Sequence, residues 1–317
     1  MKGTSRPSRP LLAFTCGDPS GIGPQAVVSA LRQPGLAGSC RPLLVGERAV
    51  WLRAGWRPGQ TPIWDTGLGL QAPPFGRDTR AGGACSFAAV AAAVRLARRG
   101  LVDAVVTAPI SKRAWSLAGV PYRDHTEYLR SATGADAQMI LAAPQRGLWC
   151  VLATRHIPLA RVPGALSAAG VRAAARVLHE ALRRLAPSRP RLLLCALNPH
   201  AGEGGLLGDE ERRILGPAVR AARREGLDLS GPLPADSAWR RHVQGDCDGL
   251  VCLYHDQAMI GLKAAAGLAV VNWTAGLPFV RVSPGHGTAF DLAGRGRPDP
   301  APTASAALLA ARLCGRK

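Results

Sequence analysis

Three histidines occupy equivalent places in this sequence, each just after a short apolar run. The runs cover residues 148–154, 191–197 and 248–254, and the histidines are His156, His200 and His255. Such runs are typical of buried strands in a parallel sheet, and ligands collect where these strands end. Neutral imidazoles bind zinc and other divalent transition metals, and three protein ligands leave one coordination position for a substrate. The set therefore indicates either a metal site or three hydrogen-bonded loop histidines.

A glycine-rich turn and two lysines are further candidates for chemistry. The segment GDPSGIGP at 17–24 lies between a predicted strand at 11–15 and a helical pattern at 25–32. A helix N-terminus behind such a turn can bind an anion, and a plain strand-to-helix turn explains the pattern equally well. Lys112 and Lys263 are the two lysines away from the chain termini, and nearly all other positive charges are arginines. This pattern indicates that the compact, titratable ammonium groups of these two lysines have a function.

Alternating strand and helix patterns must position these residues. Further strands are predicted at 42–45, 103–107, 269–272 and 277–282, and helices at 85–99, 167–185, 209–225 and 303–312. This alternation predicts an α/β fold with a mainly parallel sheet. Residues 53–83 show no clear hydrophobic period, so a segment without regular secondary structure is predicted there. GPLPAD at 231–236 predicts a rigid turn.

Composition limits the classes of function. The 317 residues are 47% apolar and 19% charged, which allows a large core, and no apolar run reaches the roughly eighteen residues of a membrane span. The eight cysteines form no CxxC pair and no signal peptide is recognisable, so a cytoplasmic location is expected. The net charge of +19 comes from 36 dispersed arginines and indicates compositional bias; a basic nucleic-acid-binding protein is a distant alternative.

Nine segments, taken in chain order, match a known family. They are GDPSGIGP at 17–24, VVTAPISK at 105–112, HTEYL at 125–129, TRHIPL at 154–159, LNPHAGEGG at 197–205, GPLPAD at 231–236, YHDQ at 254–257, NWTAGLPFVR at 272–281 and HGTAFDLAGRG at 286–296. With these segments the chain resembles the 4-hydroxythreonine-4-phosphate dehydrogenases of vitamin B6 synthesis, the PdxA family, over nearly its whole length.

The resemblance implies a two-domain α/β fold like that of the isopropylmalate and isocitrate dehydrogenases, with mainly parallel sheets and an interdomain cleft. One domain would contain residues 1–125 and 268–317, with both termini and the cofactor loop. Residues 126–267 would form a central domain for metal binding and dimerisation. The resemblance also implies a homodimer with the active site at the subunit interface, and no nucleic-acid or membrane partner.

The resemblance carries roles to the matching positions. His156, His200 and His255 match ligands of a divalent metal, for which zinc is favoured over magnesium or cobalt. The substrate-binding positions are His125, Thr126, Lys263, Asn272 and Arg281. The loop for NAD or NADP contains His286, Gly287, Thr288, Ala289 and Asp291. Candidates for catalysis are Asp236, Lys112 and Asp256, the last as the residue that orients an imidazole.

The implied reaction is oxidation of 4-phosphooxy-L-threonine, the 4-phosphate of 4-hydroxythreonine. The product, 2-amino-3-oxo-4-phosphooxybutanoate, then decarboxylates to 3-amino-2-oxopropyl phosphate on the route to pyridoxal phosphate. The metal is expected to act as a Lewis acid at the substrate hydroxyl, and the nicotinamide to accept hydride. Asp124 and Gly285 depart from the family pattern. A dehydrogenase of threonate or erythronate phosphate, or of a dihydrodiol acid, is therefore an alternative.

Overall fold

The computed structural model describes residues 9–186 and 188–315. Its strands, in chain order, are β1 (Leu11–Thr15), β2 (Arg41–Val45), β3 (Ile63–Trp64), β4 (Ala104–Thr107), β5 (Gln138–Ala143), β6 (Leu148–Leu152), β7 (Arg191–Cys195), β8 (Asp228–Leu233), β9 (Gly249–Cys252), β10 (Val271–Ala275) and β11 (Val280–Pro284). Its α-helices are α1 (Gly23–Leu31), α2 (Pro34–Ala37), α3 (Arg48–Arg53), α4 (Arg80–Arg98), α5 (Lys112–Leu117), α6 (His125–Thr133), α7 (Val162–Ala165), α8 (Ala168–Leu185), α9 (Gly216–Arg224), α10 (Ala235–Val243), α11 (His255–Ala266) and α12 (Ala301–Cys314).

The chain forms two compact units. The first lies within Met1–Ala137 and Val271–Lys317, and the second is Gln138–Val270. Helix α6, which the sequence analysis assigned to the central domain, belongs to the first unit, because its Leu129 and Tyr128 pack with Trp115 in an apolar cluster there. Among the described residues, no helix combines the length and the apolar character needed to cross a bilayer.

The sheet of the first unit has the strand order β3-β2-β1-β4-β11-β10. All neighbouring pairs are parallel except the antiparallel pair β10–β11. Strands β1 (LLAFT) and β4 (AVVT) are nearly continuous apolar runs, as expected for strands that are covered on both faces. Thr15 and Thr107 end these two strands side by side, and Arg281 of β11 pairs with Val105 of β4.

The sheet of the second unit has the strand order β5-β6-β9-β7-β8. Strands β5 and β6 form an antiparallel hairpin, and the pairs from β6 to β8 are parallel. The three apolar strands β6, β9 and β7 are buried, apart from Arg191 at the start of β7. Both units therefore have mainly parallel sheets, and the predicted α/β class is confirmed.

Two segments of the second unit differ from the sequence analysis. GPLPAD is not a turn throughout: β8 continues through it to Leu233, and Asp236 lies in the first turn of α10. Pairing with β7 overrides the turn signals of this segment. Glycine at position 231 allows the close approach to β7, because a Cβ there would lie only 2.5 Å from Leu194 O. The helix expected at 209–225 begins as a π-helical turn at Glu211–Leu215 before α9.

Close packing of α4 against α5 fixes the first turn after β4. Gly83 lets the helices approach, since a Cβ there would lie 1.9 Å from the carbonyl oxygen of Ala114. The indole Nε1 of Trp115 donates to Ser86 Oγ at 2.8 Å. This contact holds Trp115 where its ring meets the imidazole of His125 edge-on, with the ring centroids 5.6 Å apart.

We expect Gly83→Ala to lower the free energy of unfolding by about 3 kcal/mol, because the added methyl group has no space and the two helices must separate. Urea denaturation followed by circular dichroism measures the change. Gly164→Ala is the matched control: no atom lies within 4 Å of its Cβ position, so stability should stay within about 1 kcal/mol of the wild type. Equal stability of the two variants would contradict the packing argument.

Candidate active site

The three strands that precede the histidines are neighbours in the order β6-β9-β7, and they run parallel. Their carboxyl ends therefore meet at one edge of the sheet, as predicted from the apolar runs. His255 opens α11 directly after β9, and its ring centroid lies 5.3 Å from that of His156. His200 follows β7 in the 3₁₀ segment Pro199–Gly205.

Two of the three histidines have an unusual backbone conformation. His156 and His200 adopt φ of 47° and 51°, in the left-handed region of backbone conformation that residues other than glycine rarely adopt. After His200 the left-handed conformation continues through Gly204, so residues 200–204 of the LNPHAGEGG segment form a left-handed turn. Such a conformation costs about 1–2 kcal/mol per non-glycine residue, and costs of this kind are concentrated at functional sites.

Buried polar side chains tie the ends of these strands together. Gln257, in the first turn of α11, accepts from the backbone N–H of Leu253 at 2.7 Å and donates to Ala196 O at 2.8 Å. Thr154 Oγ1 donates to Leu253 O at 2.6 Å. The loops that carry His156, His200 and His255 are thus joined through one set of hydrogen bonds.

Glu211 anchors the start of the left-handed turn. Its Oε1 accepts from the backbone N–H groups of Leu197 and Asn198 at 2.9 and 2.8 Å, and its Oε2 accepts from Asn198 Nδ2 at 2.9 Å. Burial alone raises the pKa of Glu211, but these hydrogen bonds outweigh it and hold the pKa below the ordinary value. Gly202 makes room for the carboxylate, because a Cβ there would lie 2.9 Å from Glu211 Oε2.

The histidine donors suit a transition metal. Asp256 Oδ1 lies 2.8 Å from His255 Nδ1, which places the proton on Nδ1 and leaves the Nε2 lone pair for a ligand. Within 9–186 and 188–315, however, no group of three or more His, Cys, Asp or Glu side chains is arranged to hold a metal ion.

In the first unit, Arg281 is a buried cation that hydroxyl groups hold. It is 3% exposed, and its guanidinium donates to Thr107 Oγ1 and Thr274 Oγ1. Burial lowers the pKa of Arg281 to about 10, against a raising effect of Asp124, so it stays protonated at neutral pH. Burial and the charge of Arg281 also hold the pKa of His125 well below its ordinary value, so His125 is neutral.

Two more candidate residues of the first unit have buried polar atoms that find no hydrogen-bond partner among the described residues. These atoms are His125 Nε2 and Asn272 Oδ1. Such atoms are costly to bury, so each is expected to meet a ligand or a water. Thr126, half-buried, follows His125 in the first turn of α6.

Asp124, one of the two departures from the family pattern, caps α6. Its Oδ1 accepts from the backbone N–H of Glu127 at 3.0 Å, and its Oδ2 lies 3.8 Å from Lys112 Nζ. This exposed ion pair contributes little to stability. Lys112 thus faces a carboxylate, while Lys263 on α11 and Asp236 on α10 are exposed at the surface of the second unit.

Three N–H groups of the GDPSGIGP turn have partners within the structure: Ser20 N donates to Asp18 Oδ1, Gly21 N to Asp18 O, and Ile22 N to Thr288 O at 3.0 Å. The last of these bonds joins the turn to the candidate cofactor loop, where Ala289 adopts φ of 45°. An anion site at the start of α1 stays a prediction. His286, Gly287 and Asp291 of that loop are partly or fully exposed.

Sequence reasoning missed Glu211, Gln257, Thr107 and Thr274. Except for Gln257, which lies two residues after His255, these residues are not adjacent in sequence to the candidate metal-binding histidines. The signal that could have found Glu211 and Thr107 is their expected burial, since an acidic or hydroxyl side chain inside a core needs a partner.

We expect Glu211→Gln to lower the free energy of unfolding at pH 7 by about 1–3 kcal/mol, because the new amide cannot accept at both positions. Since the folded-state pKa of Glu211 is lowered, the carboxylate stabilises the protein above the ordinary pKa of 4.5, and this stabilisation is lost as pH falls below that value. The difference between variant and wild type should therefore shrink in acid. Urea denaturation at pH 7 and in acid measures it.

The control for this variant is Glu203→Gln, which removes the same charge from an exposed residue of the same turn. It should change stability by less than about 0.5 kcal/mol. A pH-independent loss in the Glu211 variant, or equal losses in both variants, would contradict the anchoring role.

Known proteins resemble this chain over most of its length. The family model described as "Pyridoxal phosphate biosynthetic protein PdxA" matches residues 42–310. A 4-hydroxythreonine-4-phosphate dehydrogenase from Geobacter metallireducens is 40% identical, covering 96% of both chains. The crystal structure of the enzyme of the same name from Klebsiella pneumoniae has a TM-score of 0.86 and 34% identity, covering 99% of this chain and 100% of that chain.

Two other solved structures are similar to this chain. A terephthalate 1,2-cis-dihydrodiol dehydrogenase from Burkholderia xenovorans has a TM-score of 0.64 and 32% identity over 93% of this chain and 95% of that chain. An isocitrate dehydrogenase from Methylococcus capsulatus, with a TM-score of 0.51 and 16% identity over 96% and 87%, shares the fold alone. The family model and the full-length relatives lead to one conclusion: the chain belongs to the PdxA family.

Proposed function

We propose that this protein oxidises 4-phosphooxy-L-threonine with NAD or NADP and a divalent metal ion, giving 2-amino-3-oxo-4-phosphooxybutanoate for pyridoxal phosphate biosynthesis. The observation that carries the proposal is the delivery of three histidines by three adjacent parallel strands. Membership of the PdxA family supports the reaction class. The relatives named above as 4-hydroxythreonine-4-phosphate dehydrogenases support the substrate.

The metal ligands in this proposal are His156, His200 and His255, and zinc is the favoured ion. Imidazole donors, a carboxylate on His255 Nδ1 and strained backbone at His156 and His200 all suit such a site. The three residues do not complete a ligand set within one chain. We therefore propose that a second copy of the chain supplies part of it.

Exposed apolar side chains support a homodimer. A large exposed apolar side chain follows each of the three histidines in sequence: Leu159 is 66% exposed, Leu206 84% and Ile260 71%. A partner that contacted these loops would remove the three apolar side chains from water. A second copy placed there would cover them and would bring its own histidines to the same edge.

The phosphate group of the substrate would bind in the first unit. Arg281 supplies a buried positive charge with unused N–H groups, and His125 and Asn272 offer polar atoms without partners. His125 is neutral at pH 7, so it serves as a hydrogen-bond partner of the substrate and adds no charge. We assign Lys263 and Thr126 to the same substrate, and Asp236 and Lys112 to proton transfer, on the family resemblance alone.

The residues of this chain bind and orient the reactants. A divalent metal held by the three histidines would supply Lewis acidity at the substrate hydroxyl, and a bound nicotinamide would supply the hydride acceptor. The loop with His286, Gly287, Thr288, Ala289 and Asp291 would hold the cofactor, supported by the hydrogen bond from Ile22 N to Thr288 O. Asp256 would keep the proton of His255 on Nδ1 during the reaction, which is a positioning role.

Structural similarity favours the phosphorylated amino acid over a dihydrodiol acid. The TM-score is 0.86 with the 4-hydroxythreonine-4-phosphate dehydrogenase and 0.64 with the dihydrodiol dehydrogenase. A buried guanidinium also suits a phosphate dianion. We further propose a cytoplasmic location, supported by the thiols of the seven buried cysteines.

We expect His200→Ala and His255→Ala to abolish tight zinc binding, because each removes a ligand, and Asp256→Asn to weaken zinc affinity by about 10- to 100-fold. Isothermal titration with zinc measures this independently of activity. His179→Ala, in α8 away from the set, should bind zinc as the wild type does. Unchanged zinc affinity in both ligand variants would reject the metal site.

We expect Arg281→Lys to raise the KM for the phosphorylated substrate by about 10- to 100-fold, because an ammonium group cannot replace a bidentate guanidinium. The KM for the cofactor should change by less than about threefold, since the loop that binds it is separate. Steady-state production of NAD(P)H measures both values. Arg123→Lys, at an exposed position in the same unit, is the control. Equal increases in both KM values would contradict the phosphate role.

A further inference from the structure

Neutral groups alone hold the buried charge of Arg281. Thr107 Oγ1 accepts from Nε at 3.1 Å and from Nη2 at 2.5 Å, and Thr274 Oγ1 accepts from Nη1 at 2.8 Å. A guanidinium has five N–H groups. One on Nη1 and one on Nη2 therefore have no acceptor among the residues that the structure describes. Because Arg281 is only 3% exposed, these groups are expected to meet a ligand or an ordered water.

No described carboxylate forms an ion pair with Arg281. Asp124 is the acid that influences its charge, and the oxygens of Asp124 are occupied by Glu127 N and by the approach of Lys112. A buried arginine is usually paired with a carboxylate, since an uncompensated charge is costly to bury. A carboxylate in the place of either threonine would neutralise the guanidinium and weaken its attraction for an anion.

We propose that Thr107 and Thr274 determine the preference of this site for a phosphorylated substrate. They fix the guanidinium by hydroxyl groups, so that its full charge and two of its N–H groups remain for the phosphate oxygens. They are positioning residues, because they act through Arg281. The proposal rests on the phosphate-binding role of Arg281 proposed above.

The sheet offers a closely matched control. Thr15 ends β1 directly beside Thr107 at the end of β4, and the two side chains are 0% and 1% exposed. Within the part of the chain that the structure describes, Thr15 Oγ1 has no hydrogen-bond partner. Replacing Thr15 with valine thus removes a buried hydroxyl from the same edge of the same sheet without releasing Arg281.

The experiment compares Thr107→Val, Thr107→Ser, Thr274→Val, Thr274→Asp and Thr15→Val in the full-length enzyme. The measurements are the Kd of inorganic phosphate by isothermal titration and steady-state kinetics with the phosphorylated substrate. We expect Thr107→Val and Thr274→Val to weaken phosphate binding and to raise the substrate KM by about tenfold or more, with kcat reduced less than about threefold. Thr107→Ser should restore binding, because serine keeps the hydroxyl.

Thr274→Asp separates two possible roles of the threonines: leaving the charge of Arg281 available for phosphate, and merely holding its side chain in place. Its carboxylate should hold Arg281 at least as firmly as threonine does, yet phosphate binding should be lost, because the charge is neutralised. Thr15→Val should bind phosphate as the wild type does. If Thr107→Val does not fold, Thr274→Val and Thr274→Asp still test the proposal, since each alters one hydrogen bond.

Two results would lead to different conclusions. Wild-type phosphate affinity in Thr274→Val and Thr274→Asp, alongside weakened binding in Arg281→Lys, would overturn the role of the threonines and leave the proposed function standing. Wild-type phosphate affinity in Arg281→Lys itself would instead reject the phosphate role of Arg281, and with it the basis of this inference.

Discussion

The end of a parallel strand leaves backbone N–H and C=O groups that must find partners, and this constraint shapes the histidine edge. In the second unit, Thr154 and Gln257 satisfy the backbone at the end of β9, and Gln257 also reaches Ala196 beyond β7. The bonds from Thr154 to Leu253 and from Gln257 to Ala196 serve two purposes, because in each the group that satisfies one strand end belongs to the segment after another strand. The histidine loops are therefore fixed relative to one another by the same contacts that complete the sheet.

The strain at His156 and His200 is tolerated for the same reason. A left-handed histidine is unfavourable in isolation, and it persists only where surrounding contacts over-determine the loop. Glu211 supplies three of these contacts at the start of the turn after β7. The charge of Glu211 is in turn stabilised by the N–H groups that it binds, so the left-handed turn and the buried carboxylate depend on each other.

The sequence was sufficient for the strands and for the histidines that follow them, because apolar runs and their polar ends are local patterns. His242, which the sequence analysis did not single out, precedes the apolar run at 248–254 and does not follow one. In the structure His242 is a buried core residue: its Nε2 accepts from Trp149 N at 2.9 Å and its Nδ1 lies 3.1 Å from Cys247 O. Glu211 and Thr107 were missed because their roles depend on partners that are distant in sequence, and the GDPSGIGP turn was left ambiguous because its N–H partner, Thr288, lies more than 260 residues away.

The position of Asp124 illustrates how an apparent conflict in a sequence is settled by local geometry. A carboxylate beside His125 could repel a phosphate, and it influences the charge of Arg281. Its Oδ1, however, is bound to the first turn of α6, and its Oδ2 faces Lys112. The capping interaction also favours a negative charge at a helix N-terminus. Asp124 therefore stabilises the helix that presents His125, while hydroxyl groups hold the Arg281 guanidinium and no described carboxylate forms an ion pair with it.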